Sequence, residues 1–254
     1  MFLIRIFILS ILFFNVNQSF ATAQRPDYLI IENDTLKLHC NPLESYFESK
    51  PFPKELMKFN SSLWRSYIAY FKFENNKLIV EGLYQPEYFE DQNGNTKEKL
   101  VSIYEKIFGN KNNFECNFYN GVLICPLGEM KEYVHMSYSS IYENYKLFEI
   151  KNGVYQKEKK LTDKEFIELK IKHFQKFKET DEYKTKFEEL LNASKESEEE
   201  LNKMLGGISD EEKKRKKQNK YLYQKEKELE KIKMTEHFLF LFTSDNIKTI
   251  DIIN

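Results

Sequence analysis

Two cysteines lie at a spacing that could form a disulfide. Cys116 and Cys125 flank Asn120-Gly121, a residue pair that is typical of a two-residue hairpin turn. Counting outward from that turn places the cysteines opposite each other on a non-hydrogen-bonded pair, where Cα atoms approach to about 4.5 Å. A disulfide requires about 4.4–6.8 Å between its Cα atoms. The sequence therefore predicts a Cys116–Cys125 disulfide, with two free thiols as the alternative, and Cys40 is left over.

Aromatic side chains form the second group that could do chemistry. The chain contains 22 Phe, 16 Tyr and one Trp, and many of them cluster within residues 67–89 and 133–145. Because side chains alternate along a strand, about half of each cluster should face outward. An outward row of tyrosines could stack against a glycan or a peptide, whereas ordinary sheet packing is the alternative. The candidate binding residues are Trp64, Tyr67, Tyr133, Tyr138 and Tyr142.

Catalytic chemistry has no comparable signature in the sequence. The four histidines are isolated, without the close spacing of a zinc site. We find no nucleophile elbow, phosphate-binding loop or dinucleotide fingerprint. Acidic residues number 40, so no carboxylate pair can be singled out as that of a hydrolase. The sequence therefore indicates no catalytic residue, no metal ligand and no cofactor.

Short β-hairpins must position these aromatic residues in the first half of the chain. Strands are predicted at 28–32 and 35–39, at 67–73 and 77–80, and at 145–151 and from 154 onward. Asn- and Gly-rich turns separate the two strands of each pair. Helices are predicted at 53–58 and 97–108. Closely spaced hairpins are typical of an antiparallel sheet and not of βαβ units, so we expect an α+β fold.

The second half of the chain has a different composition. Residues 24–155 form the predicted β-rich domain, and residues 156–236 are a charged helical segment rich in Lys and Glu. Capping boxes predict helix starts at Thr162, with Glu165 three residues later, and at Ser209. Residues 237–254 regain strand character, and the apolar run at 237–242 indicates a buried strand. We expect this C-terminal strand pair to complete the sheet.

The N-terminus has the pattern of a secretory signal peptide. Arg5 precedes an apolar stretch that is too short to span a bilayer, and Ala21-Thr22-Ala23 forms a cleavage site before Gln24. We therefore expect residues 1–23 to be removed and the protein to be periplasmic or secreted, without stable membrane insertion. The formal net charge of −1 argues against a nucleic-acid partner, which would require a basic excess.

Three segments resemble a group of exported, uncharacterised bacterial proteins that is common in Bacteroidetes-type bacteria. The first is Asn41-Pro-Leu-Glu44, and the second runs from Trp64-Arg-Ser-Tyr67 to Tyr70. The third lies at 119–138 and ends in Tyr138. The resemblance covers about residues 27–155 and implies an exported, β-rich protein without an assigned activity. The chain departs from the group at Ser66, where the group has glycine.

These observations favour a non-enzymatic binding or interaction protein of the cell envelope. Its expected partner is a protein or an envelope glycan, recognised by the aromatic β-rich domain. The alternative is an envelope hydrolase whose carboxylates converge in an aromatic-lined cleft. A cleft of that kind, or its absence, is the observation that would separate the two hypotheses.

Overall fold

A computed structural model describes residues 24–110, 113–134, 138–204, 220–243 and 247–251. The predicted signal peptide at 1–23 and the predicted helix start at Ser209 lie outside the described residues. Both remain predictions.

One sheet and a set of helices make up the described chain. Its strands are β1 (Asp27–Ile31), β2 (Asp34–Leu38), β3 (Ile68–Glu74), β4 (Lys77–Glu90), β5 (Thr96–Ser102), β6 (Phe114–Glu115), β7 (Gly121–Glu132), β8 (Ile141–Lys151) and β9 (Val154–Thr162). Its helices are α1 (Glu44–Ser49), α2 (Tyr104–Phe108), α3 (Asp163–Phe177), α4 (Asp181–Met204) and α5 (Lys220–Thr243), with a 3₁₀ turn at Lys54–Leu56. The sheet and the helices confirm the expected α+β class.

The sheet is mixed and curls on itself. Its strand order is β2-β1-β3-β4-β9-β8-β7, and β5 and β6 also pair with β4. The β1–β3 pair is parallel, whereas the other pairs are antiparallel. Beyond β2, the backbone N–H of His39 donates to the carbonyl of Ile124 in β7, with a donor–acceptor distance of 2.7 Å. The two ends of the strand order therefore meet.

The three predicted hairpins are present. In the last one, Asn152 and Gly153 have φ values of 50° and 74°, the left-handed backbone that a tight two-residue turn requires. In the first one, Ile31 pairs with Asp34, so Glu32 and Asn33 form the turn, one residue earlier than expected. Local turn chemistry thus placed these hairpins to within a residue.

Two apolar layers lie on opposite sides of the β7–β8 pair. The inner layer is enclosed by the curled sheet and includes Phe71, Leu123 and Phe148. The outer layer packs Leu147 of β8 against Phe166 of α3 and residues near the C-terminus. Residues 122–125 of β7 and 145–150 of β8 are therefore covered on both faces.

Helix α3 begins at the predicted capping box. The Thr162 side chain accepts from the Glu165 backbone N–H, and the Glu165 carboxylate accepts from the Thr162 N–H at 2.8 Å. At its other end, Phe174 contacts Tyr183 of α4 and Phe240 of α5 edge to face. No helix in the described ranges is long and apolar enough to cross a bilayer.

The predicted Cys116–Cys125 disulfide is absent, and both of these thiols are reduced and buried. Cys116 follows β6, which pairs with β4 and not with β7. Cys125 lies opposite Lys146 in the β7–β8 pair. The Asn120-Gly121 turn therefore does not join two paired strands, so the register that would oppose the cysteines never forms. Burial raises the pKa of the Cys116 and Cys125 thiols.

Three element predictions are also wrong. Residues 237–243 continue helix α5, and residues 247–251 form no strand, so the expected C-terminal strand pair is absent. Residues 156–162 extend β9 because β8 pairs with them along their length, and the helical segment begins at Asp163. Residues 97–102 belong to β5, which pairs with β4. In each case, tertiary contacts decided between two conformations that the sequence allows.

Candidate functional site

A buried polar cluster lies at one end of the curled sheet. Asp27 begins β1, Arg65 and Tyr67 precede β3, and Tyr138 precedes β8. His39 and Asn41, which follow β2, complete this cluster. The Asp27 and Arg65 side chains are fully buried, with one Arg65 nitrogen 3.3 Å from Asp27 Oδ1.

Arg65 holds the cluster together through its two terminal nitrogens. Nη1 donates to the Tyr138 hydroxyl at 3.0 Å, and Nη2 donates to the Arg25 carbonyl at 3.0 Å and to Asp27. Asp27 Oδ1 also accepts from the Ala69 backbone N–H at 2.9 Å. The Tyr138 hydroxyl lies 2.9 Å from Asn41 Oδ1. Segments that are far apart in the chain are thus joined through one guanidinium.

Burial and the ion pair have opposing effects on the pKa of each residue. Burial raises the pKa of the Asp27 carboxyl, against the opposing effects of the Arg65 charge and the Ala69 N–H. Burial alone would lower the pKa of Arg65, but the Asp27 carboxylate and the tyrosines raise it. Within the described chain, Asp27 Oδ2 and Arg65 Nε have no hydrogen-bond partner. Burying the pair therefore costs desolvation free energy, and removing either residue would leave the other as an unpaired buried charge.

His39 packs between two of the predicted binding residues. Its ring stacks on Tyr138 with centroids 5.0 Å apart and meets the Tyr142 ring edge to face at 5.3 Å. Burial lowers the pKa of His39 to about 3, helped by the charges of Lys170 and Lys37. The imidazole is therefore neutral at physiological pH. Its Nδ1 has no partner among the described residues.

The structure separates the five predicted binding residues into two groups. Tyr67 and Tyr138 are buried, with exposures of 1% and 6%, so neither can form a stacking surface for a partner. The Tyr67 hydroxyl instead donates to Glu44 at 2.7 Å, and Tyr142 is half-buried beside His39. Trp64 and Tyr133 lie outside this cluster and are exposed. Tyr67 and Tyr138 therefore stabilise the fold, whereas Trp64 and Tyr133 are open to a partner.

The three segments of the sequence resemblance converge on the buried polar cluster. Asn41 comes from the first segment, Arg65 from the second and Tyr138 from the third. Ser66 adopts a φ of 65°, a conformation that favours glycine. The Ser66 hydroxyl bonds both the N–H and the carbonyl of Lys58 at 2.9 Å. These bonds compensate for the strained backbone.

A row of tyrosines lies on the outer side of the same strands. Tyr28 of β1 pairs with Tyr70 of β3, and their rings stack with centroids 4.8 Å apart. Tyr84 of β4 meets Tyr70 edge to face at 5.5 Å. Tyr88 continues the row along β4 and is 57% exposed. We call Tyr28, Tyr70, Tyr84 and Tyr88 the tyrosine face.

Local features of the strands fix the rings of the tyrosine face. A Cβ atom on Gly82 would lie 2.5 Å from the Tyr84 ring, so this ring lies directly over the glycine backbone. Next to Tyr28 and Tyr88, Arg25 donates two hydrogen bonds to Glu98, at 2.7 and 2.9 Å. The hydrogen bond with Glu98 raises the pKa of Arg25. The row is therefore a preorganised surface bordered by an ion pair.

Two grooves flank the tyrosine face. The Tyr84 groove has a volume of about 620 Å³ and is lined by residues that include Lys72, Glu81, Tyr84, Tyr104, Glu105 and Asn113. A second groove of about 450 Å³ lies between residues 58–66 and the distal part of β4, and both Phe59 and Tyr88 line it. Phe59 projects fully into solvent. Both volumes lie within the range of roughly 300–1,000 Å³ that is typical of small-molecule sites.

Neither a metal site nor a known relative directs the functional assignment. Within the described ranges, no group of three or more His, Cys, Asp or Glu side chains could hold a metal ion. Comparison with protein-family models, curated proteins and solved structures gave no match. The geometry of the chain itself must therefore support any function.

Sequence reasoning did not single out the tyrosine face. The aromatic cluster at 67–89 contains Tyr70, Tyr84 and Tyr88, but the predicted binding residue within it is Tyr67. The alternation of β3 sends Tyr70 outward, whereas Phe71 next to it is fully buried. A strict inward–outward assignment for β3 and β4 would have found the face. The place of Tyr28 on the face can be predicted only if the pairing of β1 with β3 is known.

Proposed function

We propose that this chain is a non-enzymatic, exported binding protein that holds a protein or glycan partner on the tyrosine face. One observation carries this proposal: the rings of Tyr28, Tyr70 and Tyr84 form a half-buried row of contacting rings on three adjacent strands. Tyrosine rings provide large contact areas with few rotatable bonds, so these side chains lose little conformational entropy when a partner binds. Their hydroxyl groups can also form hydrogen bonds with polar partners.

The exposure of the tyrosine face also supports binding. A tyrosine that only completes a core is buried, as Tyr67 is, whereas all four rings of the face retain exposure. A row of partly exposed aromatic rings that ends in an exposed one, Tyr88, is a feature of interaction sites. The adjacent Arg25–Glu98 pair adds charged groups at the border, as expected for the polar rim of an interface.

The test is capture of a partner from envelope extract by the immobilised mature chain. The double variant Tyr28→Ala/Tyr88→Ala should lose the partner that the wild type retains, because it removes two contact rings. Phe238→Ala is the control, since Phe238 is also an exposed aromatic residue but lies on helix α5. Retention by the double variant, or loss with Phe238→Ala alone, would contradict the proposal.

An envelope hydrolase remains the second candidate because of one observation. Glu81 and Glu105 line the Tyr84 groove together with Tyr84 and Tyr104, which places two carboxylates in an aromatic-lined cleft. Glu81 is paired with Lys72 at 2.6 Å, and this hydrogen bond raises the pKa of the lysine. Hydrolysis of an envelope polysaccharide that is abolished in Glu105→Gln would favour this candidate.

A further inference from the structure

The Tyr84 groove has the chemistry of a site for one class of ligand. It lies beside the outer face of β3 and β4, and residues 102–106 of β5 and α2 supply its other wall. Its volume of about 620 Å³ could accommodate a ligand larger than a single sugar ring.

Two aromatic rings of the groove are held in place before a ligand arrives. Tyr84 lies over Gly82, where a Cβ atom would overlap its ring, and Tyr70 supports its edge. The Tyr104 hydroxyl accepts from the Phe114 backbone N–H at 3.0 Å, and its ring packs on Phe108 at 5.0 Å. Preorganised rings reduce the entropy cost of binding a ligand that stacks on them.

The charged groups of the groove balance each other. Lys72 and Glu81 form an ion pair at 2.6 Å, and Glu105 and Lys106 add one charge of each sign. Asn113 adds an amide, which donates to Glu74 at 2.9 Å. A ligand with a net charge gains no overall Coulomb attraction from such a lining. A ligand rich in hydroxyl groups can use both the donors and the acceptors, and hydrogen bonds to charged groups are the stronger ones.

We propose that the Tyr84 groove binds an uncharged saccharide, which stacks a sugar ring on Tyr84 and directs hydroxyl groups to the Lys72–Glu81 pair. A pyranose ring has an apolar C–H face and a polar rim, and the groove offers aromatic rings next to paired charges. This inference rests on the proposed binding function, and it names the class of ligand and the residues that recognise it.

The experiment measures binding by isothermal titration calorimetry with the mature chain. The probes are neutral hexasaccharides of glucose, mannose, xylose and N-acetylglucosamine, with hexagalacturonate as a charged comparator. At least one neutral hexasaccharide should bind more tightly than the charged one. Tyr84→Ala should weaken that binding about tenfold or more, as expected for loss of an aromatic stacking contact. Phe238→Ala, an exposed aromatic residue of helix α5 that lines neither groove, should leave it unchanged.

Gly82→Ala provides a second variant that keeps every aromatic ring. Its methyl group would occupy the position of the Tyr84 ring, so the same loss of affinity is expected, with folding checked by circular dichroism. If neither this variant nor Tyr84→Ala changes the affinity, the saccharide binds elsewhere and the inference is wrong. It is also wrong if no neutral hexasaccharide binds at millimolar concentration, or if hexagalacturonate binds most tightly.

The two proposals fail in different ways. If no saccharide binds but Tyr28→Ala/Tyr88→Ala still loses a captured partner, the groove assignment fails and the tyrosine face stands. If a neutral saccharide binds at Tyr84 but is cleaved, chromatography of the products will reveal it. The groove assignment then stands, and the non-enzymatic function fails.

Discussion

The buried polar cluster and the tyrosine face are built from neighbouring residues of the same two strands. Asp27 is completely buried and pairs with Arg65, whereas Tyr28, the next residue, lies on the outer face and stacks on Tyr70. The same contrast occurs in β3, where the backbone N–H of buried Ala69 donates to Asp27 and the next residue, Tyr70, stacks on Tyr28. Both regions are rich in tyrosine, but one holds the fold together and the other is available to a partner. Successive side chains of a strand point to opposite faces of the sheet, and the face decides which role a side chain takes.

The largest difference should appear when one ion pair is broken in each region. Arg65→Met should lower the free energy of unfolding by about 3–5 kcal/mol, because it leaves the Asp27 carboxyl buried without its partner. Arg25→Met breaks the half-exposed Arg25–Glu98 pair and should cost about 0–1 kcal/mol. Urea unfolding measures both values.

A second comparison makes the Arg65 experiment decisive. Adding Asp27→Asn to Arg65→Met removes the stranded charge and should recover part of the lost stability. Equal costs for Arg65→Met and Arg25→Met would contradict the distinction between the two regions.

The cluster should also confer a pH dependence that the tyrosine face lacks. Because the pKa of His39 is lowered to about 3 in the folded chain from about 6.5 unfolded, the unfolded state binds an extra proton between these values. Stability is therefore full above about pH 6.5 and falls by roughly 1.4 kcal/mol per pH unit below it.

His39→Phe isolates this effect. The variant keeps an aromatic ring against Tyr138 but cannot titrate at position 39. Between about pH 6.5 and pH 4.5, its unfolding free energy should therefore fall by roughly 2–3 kcal/mol less than that of the wild type. His173, whose pKa is also lowered by burial, remains in both proteins and cancels in the comparison. Parallel pH profiles for the two proteins would show that His39 is not the group responsible.

A small effect is also expected on the tyrosine face. Tyr28→Ala should lower the unfolding free energy by only about 0.5–1 kcal/mol, because it removes one cross-strand aromatic pair from a half-exposed surface. Thermal or urea unfolding of this variant gives the value. A loss as large as that of Arg65→Met would mean that the face is structural and would weaken its assignment as a binding surface.

Features set by local chemistry could be predicted from the sequence. The Asn152-Gly153 turn and the Thr162–Glu165 capping box each depend on a few consecutive residues, and both are present. The apolar run at 237–242 has no period that separates a buried strand from a helix. It became part of α5, where Phe240 contacts Phe174 of α3.

Most of the candidate site depends on contacts between segments that are far apart in the chain. The Cys116–Cys125 prediction assumed that the strands flanking a turn pair with each other, but β6 pairs with β4. Likewise, the choice of Tyr67 and Tyr138 assumed outward side chains, whereas a hydrogen bond to Glu44 and another from Arg65 hold their hydroxyls inside. The tyrosine face itself requires the parallel β1–β3 register.

That parallel register also determines the order in which the chain can fold during synthesis. Strand β1 is made first and forms a hairpin with β2 at once, but its second neighbour, β3, emerges only after the intervening segment that contains α1. The bond from His39 to Ile124 cannot form until β7 is complete. Such non-local pairings are slow to form. A nascent chain therefore carries an unpaired strand edge until its middle third has been synthesised.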